Sequence, residues 1–189
     1  MKIGVYLYAL LTLSFGGCVK KGTADILEQM GKAPVQLCTD QMACVIPDSV
    51  VGFDCDAEEL KLVVFSDTTN CSQCYISHLM DWNDLLQLEN NYPKLSFYFV
   101  MAARKNEGNI LSELLRNCGL RHVVYVDTAN VFLSKNPHIN VPEVFHTFLL
   151  DKDNRVVLVG NPLKNQAIYE IFMDILVKSE KNELMSNSN

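Results

Sequence analysis

The sequence predicts an α/β protein built on a central mixed sheet flanked by helices. Three observations lead there. Leu62-Val63-Val64-Phe65 is a continuous apolar run, as expected of a strand covered on both faces. From Leu60 onward such runs alternate with segments whose apolar residues recur every three or four positions, the pattern of strands joined by helices in a sheet with parallel pairs. Thr147 to Leu150 and Val156 to Val159 flank Asp151-Lys152-Asp153-Asn154, a turn that predicts a β-hairpin and with it an antiparallel edge.

Taken in order, Ala24 to Met30 predicts a short helix with Asp25 near its start and Gly31 as its stop. Val35 to Leu37 and Cys44 to Ile46 read as short strands of an N-terminal hairpin or extension, followed by a turn at Pro47-Asp48. After the strand at Leu62 to Phe65, the residues Tyr75, Leu79, Trp82 and Leu86 define one apolar stripe on a helix ending near Asn90. Leu95 to Met101 is the second strand. Ile110, Leu111, Leu114 and Leu115 mark a second helix stopped by Gly119, and Val123 to Val126 is the third strand. Thr128 to Lys135 predicts a short helix before Pro137. Ile168, Ile171, Phe172, Ile175 and Leu176 define the last helix, beyond which the chain is polar. Trp82 and the aromatic residues of the second strand fall on core-facing periodicities, and Asp127 reads as a turn or helix cap.

Composition bounds the function. The chain has 189 residues, 49% hydrophobic and 20% charged, enough for one domain with a sizeable core. A formal charge of -6 without a basic patch argues against a nucleic-acid partner, because nothing would neutralise the phosphates. Lys20-Lys21 and the lysines at Lys178 and Lys181 read as solvated ends.

The N-terminal residues look like an export signal. Lys2 precedes an apolar stretch from Ile3 to Phe15 that is too short for a permanent spanning helix. It ends in Ser14-Phe15-Gly16-Gly17-Cys18, which resembles a bacterial lipobox with Phe15 where Leu, Val or Ile is usual. The expected organisation is a lipoprotein signal peptide at 1–17, a tether and extension at 18–59 starting at an acylated Cys18, a main domain at 60–181 and a polar tail at 182–189. An ordinary secretory signal, with Cys18 incidental, is the alternative. Acylation of Cys18 would anchor the protein without a spanning helix, and export would put it in the oxidising bacterial cell envelope. With Cys71 and Cys74 paired, Cys38, Cys44, Cys55 and Cys118 allow three pairings. Cys38 and Cys44 are near enough in sequence to close a small loop, and free thiols are the alternative.

Cys71-Ser72-Gln73-Cys74 carries the chemistry. It lies between the first apolar strand and the helix that follows. Unpaired N–H groups in a helix's first turn stabilise a thiolate there and make it a nucleophile for disulfide exchange. Cys71 would attack a substrate disulfide and Cys74 would resolve the mixed disulfide.

Together with Thr147-Phe148-Leu149-Leu150-Asp151-Lys152-Asp153-Asn154-Arg155-Val156-Val157, this strand–Cys-x-x-Cys–helix unit resembles the thioredoxin fold. The resemblance spans roughly residues 60 to 179 and fits the larger redoxin-like form with an inserted β-α. The whole chain looks most like thioredoxin-like lipoproteins of Gram-negative envelopes. It implies a membrane-anchored thiol–disulfide oxidoreductase that acts on protein thiols or disulfides, draws on an upstream redox partner and needs no cofactor beyond the cysteine pair. Against the family's pattern, Asn70 replaces a Trp and Gln73 a Pro. Phe145 stands where the family has a cis-proline, with Pro142 three residues earlier, so Pro142 and Phe145 mark the expected substrate loop. Phe65 stands where thioredoxins bury an Asp. His146, beside that loop, is an acid–base candidate near Cys71. A strand-edge His that is merely packed or solvated is the alternative.

A second class of function stays open at this point. Cys71, Cys74 and His78 have spacing suited to a soft metal, so a Cu(I) metallochaperone is the rival, as is an envelope binding protein whose Cys71–Cys74 disulfide is structural. No second Cys-x-x-Cys supports a zinc ribbon. Cys118 precedes Gly119 at a helix end, where the dipole disfavours a thiolate, so it reads as structural.

Overall fold

A strand dominated by apolar residues is best paired on both edges and covered on both faces, and β2 (Leu60–Ser66) is: all seven of its residues, Lys61 included, are buried. The computed structural model describes residues 22–48, 50, 59–68 and 72–186, with backbone alone at 72–74 and 182–186. Around β2 the sheet runs β1-β4-β3-β2-β5-β6, with β1 at Ala43–Val45, β3 at Leu95–Ala102, β4 at Val124–Asp127, β5 at Thr147–Leu150 and β6 at Val156–Val159. β2, β3 and β4 are parallel neighbours. β5 pairs antiparallel with β2, and β6 antiparallel with β5. The predicted parallel pairs and antiparallel hairpin are both present.

Side-chain alternation along β2 sorts the core into two layers. Leu62 and Val64 join Phe97, Phe99, Ile76, Leu79, Trp82, Leu111, Leu115, Phe172 and Leu176. Val63 and Phe65 join Met30, Val35, Val100, Phe132, Ile139, Val141 and Phe148. The first layer therefore lies under α2 (Ser72–Ser77), α5 (Gly108–Arg116) and α7 (Gln166–Ser186), and the second under α1 (Gly22–Met30) and α6 (Val131–Lys135). Each fully buried Leu or Phe stabilises the fold by about 1.5–3 kcal/mol relative to exposure. Trp82 packs edge-on to Phe99 with centroids 5.7 Å apart, the core role its periodicity predicts.

Two local expectations are corrected. The apolar stripe from Tyr75 to Leu86 does not sit on one helix. Past α2 the chain makes a 3-10 turn at Leu79–Trp82, then α3 (Asn83–Leu86) and α4 (Leu88–Asn91). Leu79, Trp82 and Leu86 are buried as expected, because three- and four-residue spacing fixes a common face without requiring a continuous hydrogen-bond ladder. Asn83 holds the break: its Nδ2 donates to Gly119 O at 2.9 Å, and its Oδ1 accepts from Arg121 N–H at 2.8 Å. Gly119 itself takes φ +77, a left-handed conformation suited to glycine just past α5.

The second correction concerns the extension. Val35 to Leu37 is not a strand, and among the described residues it forms no hairpin with β1. β1 pairs antiparallel with β4 instead, Ala43 opposite Val126 and Val45 opposite Val124. Residues 35–37 lie between Pro34 and Cys38, whose φ is 54, and the backbone of Gln36 is satisfied by a side chain rather than by a ladder. Buried Asn136 accepts from Gln36 N–H at 2.8 Å and donates to Gln36 O at 2.7 Å and Phe132 O at 2.8 Å. Val35 N–H donates to Asn154 O at 2.8 Å. Met30 and Val35, both within the stretch expected as tether and extension, are therefore core residues.

Asp127 caps as expected. Its carboxylate, 1% exposed, accepts from the N–H groups of Ala129, Val131 and Phe132 at 3.2, 2.9 and 2.8 Å, and the short helix after it begins at Val131 rather than at Thr128.

Replacing Asn136 by Ala strands both backbone groups of Gln36 and should cost about 2–3 kcal/mol. Urea unfolding at neutral pH measures this, and a loss under about 0.5 kcal/mol would mean that the extension is held some other way.

Candidate functional site

In open α/β sheets, sites gather beyond the carboxyl ends of the parallel strands, where neighbouring connections diverge. Here that place is the end of β2. Toward β3 the sheet continues in parallel, and on the other side β5 comes back antiparallel. The chain leaves β2 at Ser66 and starts α2 at Ser72, so Cys71 immediately precedes the helix and the backbone of Cys74 lies within it. Cys71 and the side chain of Cys74 fall outside the described residues, as do Cys18, Cys55 and the expected signal peptide at 1–17.

The segment that leads into β5 lies at the same edge. Val64 is opposite Thr147, and Phe65 N–H donates to His146 O at 2.9 Å. Every peptide bond among the described residues is trans, including the one at Phe145. Pro142 (φ -58, ψ 147) instead begins a 3-10 turn over Glu143–Phe145, in which Phe145 N–H donates to Pro142 O at 2.9 Å and His146 N–H to Glu143 O at 2.8 Å. Pro142 and Glu143 are exposed and Phe145 is half-buried. Val144 is 72% exposed, the most exposed large apolar residue among those described.

His146 sits differently from an open acid–base group. It is 3% exposed, and its ring lies 4.9 Å from that of Phe65, which in turn lies 4.9 Å from Phe132. These rings belong to the layer under α1 and α6, whereas α2 covers the opposite layer. Its Nε2 is 2.7 Å from Val141 O. A carbonyl only accepts, so Nε2 donates, while Nδ1 is buried and without a hydrogen-bond partner among the described residues. The same layering places the side chain of Phe65 on the face away from α2, and by alternation the buried Ser66 shares the α2 side with Val64.

Tyr75, next after Cys74, was not legible as a site residue. Its phenol is pushed well above the ordinary range, first by burial and then by the carboxylate of Glu143. The charge on the loop thus reaches the helix that carries the cysteines. The only sequence signal for this is an acidic residue directly after Pro142.

His78 is exposed and its Nδ1 lies 3.2 Å from Asp81 Oδ2. Among the described residues no group of three or more His, Cys, Asp or Glu side chains is arranged to hold a metal ion, and the set Cys71, Cys74, His78 lies partly outside them. Cys38 has a free thiol, so the small-loop Cys38–Cys44 bridge is not formed. Cys118 is also free. Burial pushes its thiol up, and hydrogen bonds from the backbone at Leu120 and at Cys118 itself oppose the shift. No helix among the described residues is long and apolar enough to cross a membrane.

A parallel β2-β3 unit, an antiparallel hairpin added on the far side of β2 and a closing helix define this architecture, with β4 and its helix as the insert. The fold is thioredoxin-like. No family model matches the chain, and no curated protein matches it. Among solved structures it is similar to an uncharacterized thioredoxin-like protein from Porphyromonas gingivalis, at 15% identity over 65% of this chain and 78% of that one, with a TM-score of 0.44. The thioredoxin domain of a thiol-disulfide oxidoreductase from Bacteroides vulgatus matches at 16% identity over 64% and 81% of the two chains, with a TM-score of 0.43. StoA from Bacillus subtilis matches at 13% over 62% and 86%, with a TM-score of 0.41.

The direction of the Cys118 shift sets its reactivity. Between the ordinary thiol pKa and its raised value Cys118 stays protonated, and only the thiolate alkylates. Iodoacetamide labelling of the native protein at pH 8.5, followed by mass spectrometry, should modify Cys118 several-fold more slowly than the same residue in the urea-unfolded chain.

Proposed function

We propose that this protein is a thiol–disulfide oxidoreductase held at the bacterial envelope by a lipid on Cys18, with Cys71 as nucleophile and Cys74 as resolving thiol. The observation that carries this reading is the position of Cys71-x-x-Cys74 in the chain: after central β2, with Cys71 directly before α2 and Cys74 within it, at the end of the sheet from which the Pro142–His146 loop runs into β5.

The Cys71 thiolate attacks one sulfur of a substrate disulfide. A mixed disulfide forms, and the substrate's other sulfur leaves as a thiolate and takes a proton. Cys74, once deprotonated, attacks the Cys71 sulfur, which closes the Cys71–Cys74 disulfide and expels the second substrate thiolate. Two electrons have then moved from the protein to its substrate, and an upstream dithiol partner restores them by the same exchange. The reverse sequence oxidises substrate thiols, and the reduction potential of the pair decides the direction. α2 has six residues, so support for the thiolate comes from the unpaired N–H groups of its first turn. Pro142 and Phe145 belong to the loop that would meet the substrate. Substrates are protein thiols or disulfides, and neither a nucleic acid nor a bound cofactor enters the reaction.

In cells, a Cys74→Ser variant should accumulate mixed disulfides through Cys71, visible as reducible high-mass bands, and a Cys71→Ser variant should not. An absence of trapped partners and of insulin reduction, combined with tight Cu(I) binding by the reduced protein, would overturn the enzyme reading in favour of a metal carrier. Separately, Cys18→Ser should move the protein from the membrane pellet to the soluble fraction and abolish incorporation of labelled palmitate.

A further inference from the structure

We infer that His146 is a positioning residue that fixes the shape of the substrate loop, through a hydrogen bond from its Nε2–H to Val141 O. The inference rests on the oxidoreductase reading above and assigns His146 a role other than proton transfer.

Four contacts meet at this residue. The side chain closes the loop on itself by reaching back to Val141 O at 2.7 Å. Its backbone N–H donates to Glu143 O at 2.8 Å, and its carbonyl accepts from Phe65 N–H at 2.9 Å. Its ring packs on Phe65 at 4.9 Å. The loop is thereby fastened to the last turn-bound stretch of β2, the strand that leads to Cys71. Without the imidazole donor, Val141 O would lose its partner in a place where both Val141 and His146 are buried, and an unpaired buried acceptor is costly.

What the fastening holds up is the exposed run Pro142-Glu143-Val144. No proline stands directly before β5 to stiffen this loop; the only proline in it, Pro142, opens the 3-10 turn. Thioether, hydroxyl or aliphatic side chains at position 146 would fill the site without bridging to Val141. A ring with a donor at the Nε2 position does both. Proton transfer at the cysteines is the less suitable role, since the ring lies in the layer that α2 does not cover and its Nε2–H is already committed to Val141 O.

The test compares the full-length wild type with His146→Phe, which keeps a ring and loses the donor, and His146→Gln, whose amide N–H₂ reaches the Nε2 position. Two readouts are taken. In amide exchange, Phe65 and Phe145 N–H should exchange about tenfold faster in His146→Phe and return toward wild type in His146→Gln. In kinetics, KM for insulin should rise about tenfold more than KM for a small aromatic disulfide in His146→Phe, with recovery in His146→Gln. Wild-type exchange rates at Phe65 and Phe145 in His146→Phe would overturn the inference, whatever the activity. Equal losses on both disulfides, or a His146→Gln variant as impaired as His146→Phe, would also overturn it. Should His146→Phe fail to fold, His146→Asn replaces it, because its amide is too short to reach Val141 O and the same outcomes apply. A wild type inactive on both disulfides sinks the oxidoreductase reading, while amide exchange still decides whether His146 holds the loop.

Discussion

Burial of β2 on both faces and pairing on both edges is the constraint from which the candidate site follows. A strand with seven buried residues has one register against β3 and one against β5, because a slip by a single residue would exchange its two layers. Leu62 and Val64 would then face α1 and α6, and Val63 and Phe65 would face α2 and α7. Fixing that register fixes where the chain emerges toward Cys71, and it also fixes which residue of the incoming segment stands beside it. The hydrogen bond between Phe65 N–H and His146 O is the last rung of that ladder and the first element of the site.

The two layers divide the labour. The layer under α2, α5 and α7 holds the long aliphatic and aromatic contacts that support the cysteine-bearing helix, with Trp82 wedged on Phe99. The opposite layer is closed largely by material from outside the regular sheet: Met30, Val35, Ile139 and Val141. It is held by polar groups that act as backbone substitutes, chiefly Asn136 against Gln36. Gln29 adds to this, its amide donating to His138 O and Asn140 O at 3.1 and 3.3 Å, so α1 is tied to the segment that runs into the Pro142 loop. The N-terminal extension therefore braces the loop from behind, which links a stretch far from Cys71 in sequence to the surface a substrate would meet.

Much of this was legible in the sequence. The apolar run at Leu62 to Phe65, the hairpin around Asp151 to Asn154 and the cap at Asp127 are local signals, and each corresponds to a structure that local physics suffices to build. What was not legible depends on side chains satisfying distant backbone. The spacing of Tyr75, Leu79, Trp82 and Leu86 reports a face, and nothing in it reveals that Asn83 would bond to Gly119 and Arg121 and so tie down a broken helix. Val35 to Leu37 has strand-like composition, yet the backbone hydrogen bonds of Gln36 at its centre go to the side chain of Asn136, a hundred residues later in the chain.

The candidate site divides along the same line. That Cys71-x-x-Cys74 follows a buried strand can be read from residue order alone. Which layer His146 enters cannot, because it depends on pairing register: Thr147 opposite Val64 puts the preceding residue level with Phe65 and leaves its ring on the side away from α2. The same parity puts Phe65 on that side as well. Two residues that look independent in the sequence, Phe65 in the strand and His146 in the loop, are thus one packed pair. Glu143, by contrast, makes itself felt on the α2 side through Tyr75. A carboxylate there disfavours an anion formed nearby, so under the oxidoreductase reading Glu143 would oppose the first-turn N–H groups of α2 rather than add to them.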